Sequence, residues 1–144
     1  MSCSRSSQLS FEQYVLGVAN ATREQGGTAS KPSARRFLPI ADSWSFPKYP
    51  ERTVILPLNA DLVEALRKFV KDNEAYLDEP DCWLGTWVNP GTGRVYLDIA
   101  TGCSDLDQAR RTAIETSLRN GRKIVAIFNP KPNRTIYLWD GVGE

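Results

Sequence analysis

Five carboxylates fall between residues 72 and 81, namely Asp72, Glu74, Asp78, Glu79 and Asp81. Oxygen ligands at that density are what a hard divalent cation or a carboxylate acid/base pair requires. The run lacks the alternating positions and central glycine of an EF-hand loop, so it reads as a solvated helix end and loop. Asp98, with Asp105 and Asp107 close behind, repeats the pattern more weakly, and helix capping accounts for Asp107. The chain has no histidine, which removes Ser/His/Asp and Cys/His nucleophile systems and histidine-ligated metals. Cys103 precedes a helix start, where the dipole lowers a thiol pKa, but without a histidine base it reads as a structural thiol. Gly85, Gly91 and Gly93 sit on and inside a hairpin with no following G-K-[ST], so they form no phosphate loop. No catalytic residue, metal or cofactor is expected.

A second group is cationic. Arg110, Arg111, Arg119, Arg122 and Lys123 gather on and after one helix, and Arg94 and Arg134 flank two turns, which is the footprint of a local nucleic-acid surface. Tyr96, Tyr137 and Trp139 would add stacking platforms for single-stranded bases. No RNP-like, zinc-finger or helix-turn-helix pattern accompanies them, and cations in a helix's last turn are already favoured by its dipole.

These groups must be carried by some scaffold, and 144 residues with 41% hydrophobic and 24% charged side chains suit one globular domain. A net charge of +1 removes the global signature of a nucleic-acid binder. The charge is unevenly spread, with an acidic middle between basic ends, a pattern that packed elements use to complement one another. Three cysteines without a C-x-x-C pair, and no apolar stretch of membrane-spanning length, lead to an expectation of free thiols in the cytoplasm.

Ser10 and Gln13 make a capping box for an amphipathic helix through Phe11, Tyr14, Val15 and Val18. Gly26 to Arg36 has no apolar periodicity and reads as a flexible tether. Residues 37–50 hold three prolines and read as an extended strap. A strand at Thr53 to Leu58 precedes a helix capped by Asn59 with an apolar stripe of Leu62, Val63, Leu66, Phe69 and Val70. The runs WLGTWV and RVYLDI form a hairpin about Asn89 to Gly93. A helix opened by Ser104 and Asp107 and stopped at Gly121 is followed by a second hairpin, KIVAIF and RTIYLW. The expected fold is α+β, with an antiparallel sheet of four to five strands, two helices on one face and a tethered N-terminal helix. Residues 1–36 form the helix and linker, and residues 37–144 the domain.

Pairing Val88 with Arg94 places Trp83, Gly85, Trp87, Val95, Leu97 and Ile99 on the core face of the first hairpin. Pairing Phe128 with Arg134 places Lys123, Val125, Ile127, Thr135, Tyr137 and Trp139 on a second apolar face of the last hairpin, which the strap, the N-terminal helix or a partner covers.

The segment Gly85 to Ile99, GTWVNPGTGRVYLDI, followed by Asp107-Gln108-Ala109, resembles short uncharacterised proteins of actinobacteria and their phages. In these, G-x-W-x-x-P-x-T-G-x-x-Y-x-D precedes a helix and a strand. The resemblance spans about a third of the chain. It implies a phage or mobile-element setting and carries no activity with it.

These features add up to a non-catalytic cytoplasmic module that docks on a protein partner through Tyr137, Trp139, Val125, Ile127 and Tyr96. Homodimerisation through the same face is a variant of that reading. The runner-up is a nucleic-acid-associated protein using Arg110, Arg111, Arg119, Arg122 and Lys123, and a histidine-free enzyme is third. No membrane contact is expected.

Overall fold

The computed structural model describes residues 9–57 and 59–139. Helix α1 (Phe11–Gln25) starts at the expected box, with Gln13 N–H donating to Ser10 Oγ at 3.1 Å and Ser10 N–H to Gln13 Oε1 at 3.0 Å. Gly26, at φ +87°, closes it in the left-handed conformation that glycine adopts without strain. Strands β1 (Gly27–Lys31), β2 (Arg36–Phe37) and β3 (Trp44–Pro47) follow, then a short 3-10 turn (Pro50–Arg52) and β4 (Val54–Leu56). Next come α2 (Leu62–Asp72), the single-turn α3 (Glu74–Leu77), β5 (Trp83–Val88) and β6 (Val95–Cys103). Helix α4 (Leu106–Asn120), β7 (Ala126–Asn129) and β8 (Arg134–Tyr137) complete the described chain. Asp61 caps α2 and Asp105 caps α4, each one or two residues from the expected Asn59 and Ser104.

The strands form one antiparallel sheet in the order β2-β1-β5-β6-β3-β7-β8, with β4 pairing β6 beside β3. It curls into a half-barrel. The expected sheet of four to five strands with two helices and a tethered third is therefore wrong, since there are eight strands and four helices among the described residues. The physical reason is that the extra strands are short and that β1, GTASK, has no apolar alternation. Gly27–Lys31, read as part of a flexible tether, pairs residue by residue with β5, from Gly27 opposite Trp87 to Ser30 opposite Leu84. Four of the fourteen residues of the expected strap form strand β3, pairing with β6 and β7. Two- to five-residue strands carry too little periodicity to register in a hydrophobic pattern.

The core has two parts. Helices α1 and α2 cover Leu84, Val95, Leu97 and Ile99 with Tyr14, Val15, Val18, Leu66 and Phe69. Helix α4 covers Trp44, Phe46 and Ile127 with Ala109 and Ala113. Trp44 pairs with Cys103 and Phe46 with Thr101, at even spacing from Ile99, so both parts lie on the same sheet face. Helix α1 is no detachable appendage, because Tyr14, Val15 and Val18 are fully buried. Burying a side chain of that size contributes on the order of 1.5–3 kcal/mol.

Both hairpins pair one residue away from the expected register. Val88 faces Val95, and Phe128 faces Thr135. In each, the asparagine before proline belongs to the ladder and not to the loop. Asn89 N–H donates to Arg94 O at 2.9 Å while its side chain accepts from Gly91 N–H at 2.9 Å. Asn129 pairs with Arg134, and its side chain accepts from Lys131 N–H at 3.1 Å. The fourth loop residue is left-handed in both turns, Gly93 at φ +78° and Asn133 at φ +56°. Since strand side chains alternate, this shift sends Trp83 and Trp87 off the core face and brings Leu84, Thr86 and Val88 onto it.

Candidate ligand-binding cleft

The sheet face away from the helices carries Trp83 and Trp87 from β5 and Tyr96 and Asp98 from β6. Trp87 lies opposite Tyr96 across the ladder, with ring centroids 5.2 Å apart. The curl of the sheet brings Tyr137 of β8 to 6.4 Å from the same indole. Residues from four parts of the chain thus enclose a cavity of about 210 Å³, including Thr53, Trp87, Tyr96, Asp98, Arg122 and Val125.

Asp98 occupies a seam in the sheet. Strand β4 pairs with β6 as far as Leu97, and β3 takes over at Ala100, so the side chain of Asp98 has a gap beside it that Thr53 fills. Thr53 Oγ1 donates to Asp98 Oδ1 at 2.7 Å. Arg122 is held close by, its Nη1 donating to Thr53 O at 2.9 Å. Burial pushes the Asp98 carboxyl up to about 6, while the Thr53 hydrogen bond and the Arg122 charge pull it back only in part. At the cleft border Lys123 Nζ stands 5.0 Å above the Trp139 ring, and Trp139 Nε1–H donates to Ile124 O at 2.9 Å.

The residues singled out from sequence are divided by this arrangement. Tyr96, Val125, Arg122 and Lys123 line the cavity, and Tyr137 and Trp139 adjoin it through Trp87 and Lys123. Ile127 does not belong with them. It pairs with Ile136 and is 0% exposed in the α4 core, a consequence of the one-residue register shift. The cationic set also separates. Arg110 and Arg111 are exposed on α4, and Arg119 borders a second, more open cavity of about 560 Å³ beside Lys48 and Tyr49. Only Arg122 and Lys123 of the five reach the cleft. Trp87, Thr53 and the role of Asp98 were missed. A lone acid inside the apolar run VYLDIA was the available signal, because a carboxylate at a strand centre needs either a partner or an open face.

The acidic run has a different fate. Glu79, Asp81 and Cys82 bring three ligand atoms within 4.8 Å of one another, but the Lys48 ammonium stands against them, 2.9 Å from Glu79 and 3.1 Å from Asp81. Tyr49 Oη–H donates to Glu79 at 2.9 Å as well. These contacts hold the Glu79 and Asp81 carboxyls below the usual range, and burial pushes the Cys82 thiol up to about 11. The group is an ion-paired clasp tying α3 and the following loop to β3.

Among the described residues no helix is long and apolar enough to cross a membrane. No family model, curated protein or solved structure matches the chain.

Proposed function

We propose that this protein is a non-catalytic cytoplasmic binding module that works through the helix-free face of its sheet, and that it takes single-stranded nucleic acid there. The observation that carries this reading is the convergence of Trp87, Tyr96 and Tyr137 on one face with Arg122 and Lys123 at its border. Aromatic faces stack on bases of any kind, and cations beside them follow the phosphates. The aromatic residues that the sequence offers both as a protein-docking set and as stacking platforms thus meet two of the five basic residues, Arg122 and Lys123, at the cleft. The cytoplasmic setting rests on the unpaired thiols of Cys82 and Cys103. The resemblance of the first hairpin supports a phage or mobile-element context.

Fluorescence anisotropy with a labelled ten-nucleotide thymidine strand tests the reading. Two or three phosphate contacts give a log–log salt slope near −2, or roughly tenfold weaker binding between 50 and 200 mM salt. Trp87→Ala should weaken binding at least about fivefold, since one stacked base is worth about 1–3 kcal/mol. No binding of DNA or RNA strands at low salt would refute it. A protein partner, or a second copy of the chain, docking beside Tyr137, which is 41% exposed on the terminal strand β8, would then become the better account.

A further inference from the structure

We propose that the cavity at Asp98 accepts one base of the bound strand through its donor edge, and that guanine is preferred. This deepens the nucleic-acid reading and rests on it. The cavity, at about 210 Å³, falls below the roughly 300–1,000 Å³ of pockets that enclose a drug-sized ligand, so it holds one ring system and leaves a sugar and phosphate outside. Its lining includes Trp87 and the largely buried Tyr96 that packs against it. Gly85 stands opposite Asp98 in the ladder and places no side chain over the carboxyl.

The chemistry at the inner end is that of an acceptor. One Asp98 oxygen takes the Thr53 hydroxyl, and an ionised carboxylate has about four lone-pair sites, so several stay available to a ligand. The ligand must therefore bring N–H or O–H groups. A free cation is a poor choice, because Arg122 and Lys123 line the same cavity, where Asp98 is the one carboxylate among the described lining residues. The charge balance selects neutral donors attached to an anion, and a nucleobase joined to phosphate is that combination. Among the bases, guanine presents N1–H and the N2 amine side by side, matching two carboxylate oxygens. Adenine and cytosine set their amine beside a ring-nitrogen acceptor, which would face a carboxylate lone pair. Thymine and uracil offer one N–H between two carbonyls.

Donors to the ionised carboxylate also favour that form over the protonated one. The preference for guanine should weaken as pH falls through the Asp98 titration, on which Thr53 from the β4 side and Arg122 from the segment after α4 act directly, with Lys123 and Arg94 elsewhere in the cavity lining.

The experiment compares labelled ten-nucleotide thymidine strands carrying, at the centre, thymidine, guanosine or inosine, which lacks only the N2 amine. Guanosine should bind about tenfold more tightly than thymidine, and inosine should lose most of that gain. In Asp98→Asn, shown to be folded by its near-UV spectrum, the ratio of guanosine to thymidine affinity should fall to about one. In the native chain the ratio should shrink between about pH 7 and pH 5. Equal affinities for all three strands, or a guanosine preference that survives Asp98→Asn, would overturn the proposal while leaving the single-strand reading in place. Absence of binding by every strand would remove both. Free guanosine monophosphate competing as well as the guanosine strand would keep the base assignment and replace the strand with a nucleotide.

Discussion

Asp98→Asn should make this protein more stable at neutral pH, and by an amount that depends on pH in a defined way. The carboxyl titrates at about 6 in the folded chain, against an ordinary 3.8, because the ionised form is buried among the cleft residues and only Thr53 and Arg122 offset the loss of water. A raised pKa means that the folded state holds the proton more tightly than the unfolded one. The contribution of Asp98 is then fully present below about pH 3.8 and is lost as pH rises through about 6. A shift of two units corresponds to about 3 kcal/mol, a ceiling because the cavity opens to water. Asparagine keeps the shape and can still accept from Thr53 Oγ1, so it escapes the penalty of ionisation. Urea denaturation followed by tryptophan fluorescence should show Asp98→Asn gaining stability steadily from about pH 4 to pH 7 relative to the native chain, with a total change of up to about 3 kcal/mol. In melting temperature that is on the order of 10 °C for a domain of this size. A difference between the two proteins that stays flat over this range would show that Asp98 is solvated, and the cleft as described here would be wrong. A gain with the expected pH slope has a further meaning, since a costly buried carboxylate where asparagine would be more stable is the signature of a group kept for binding.

Other consequences are structural. Lys31 Nζ donates to the carbonyls of Leu77, Glu79 and Cys82 at 2.7, 2.8 and 2.7 Å, so Lys31→Met should destabilise the fold by about 2–4 kcal/mol in urea titration, and a loss below about 0.5 kcal/mol would deny the ammonium that role. A Cβ at Gly27 would lie 2.8 Å from Thr86 O, and the strand cannot move away without breaking its ladder with β5. Gly27→Ala is expected to cost about 1–3 kcal/mol, and a neutral result would mean that β1 does not pair as closely as described. The Cys82 thiol, buried and pushed up to about 11, should alkylate more slowly with iodoacetamide at about pH 8 than Cys103, because the thiolate is the reacting form. Peptide mass spectrometry that finds Cys82 labelled first would contradict this placement.

What the amino-acid pattern revealed, and what it hid, follows from how each element is held. Helices α1, α2 and α4 were legible because each has a long apolar stripe and a capping residue. The two hairpins were legible because Asn-Pro turns separate β-rich runs. Their register was not, because Asn89 and Asn129 each turn a side chain onto the loop that follows while their backbones stay in the ladder. Sequence alone gives these residues to the turn. Moving the ladder by one residue leaves every strand in place and exchanges the two faces of β5, so Trp87 passes from presumed core to cleft wall.

The helix-covered face concealed itself by a related means. Thr86 is buried there, and a buried threonine looks outward-facing in sequence. Its hydroxyl lies 2.6 Å from those of both Thr22 and Thr28, and Thr22 in turn donates to Val18 O at 2.7 Å. Tyr14 and Ser30 make a second such contact at 2.6 Å. These hydroxyls satisfy one another between α1, β1 and β5, where unsatisfied each would cost about 1–3 kcal/mol. They join the N-terminal helix and the first strand to the sheet without the apolar alternation that would have announced them. The same polar seam that made residues 26–36 look like a tether thus fixes β5 with its leucine and threonine toward the helices. That orientation leaves Trp87 no place but the open face, beside Tyr96 and the carboxylate of Asp98.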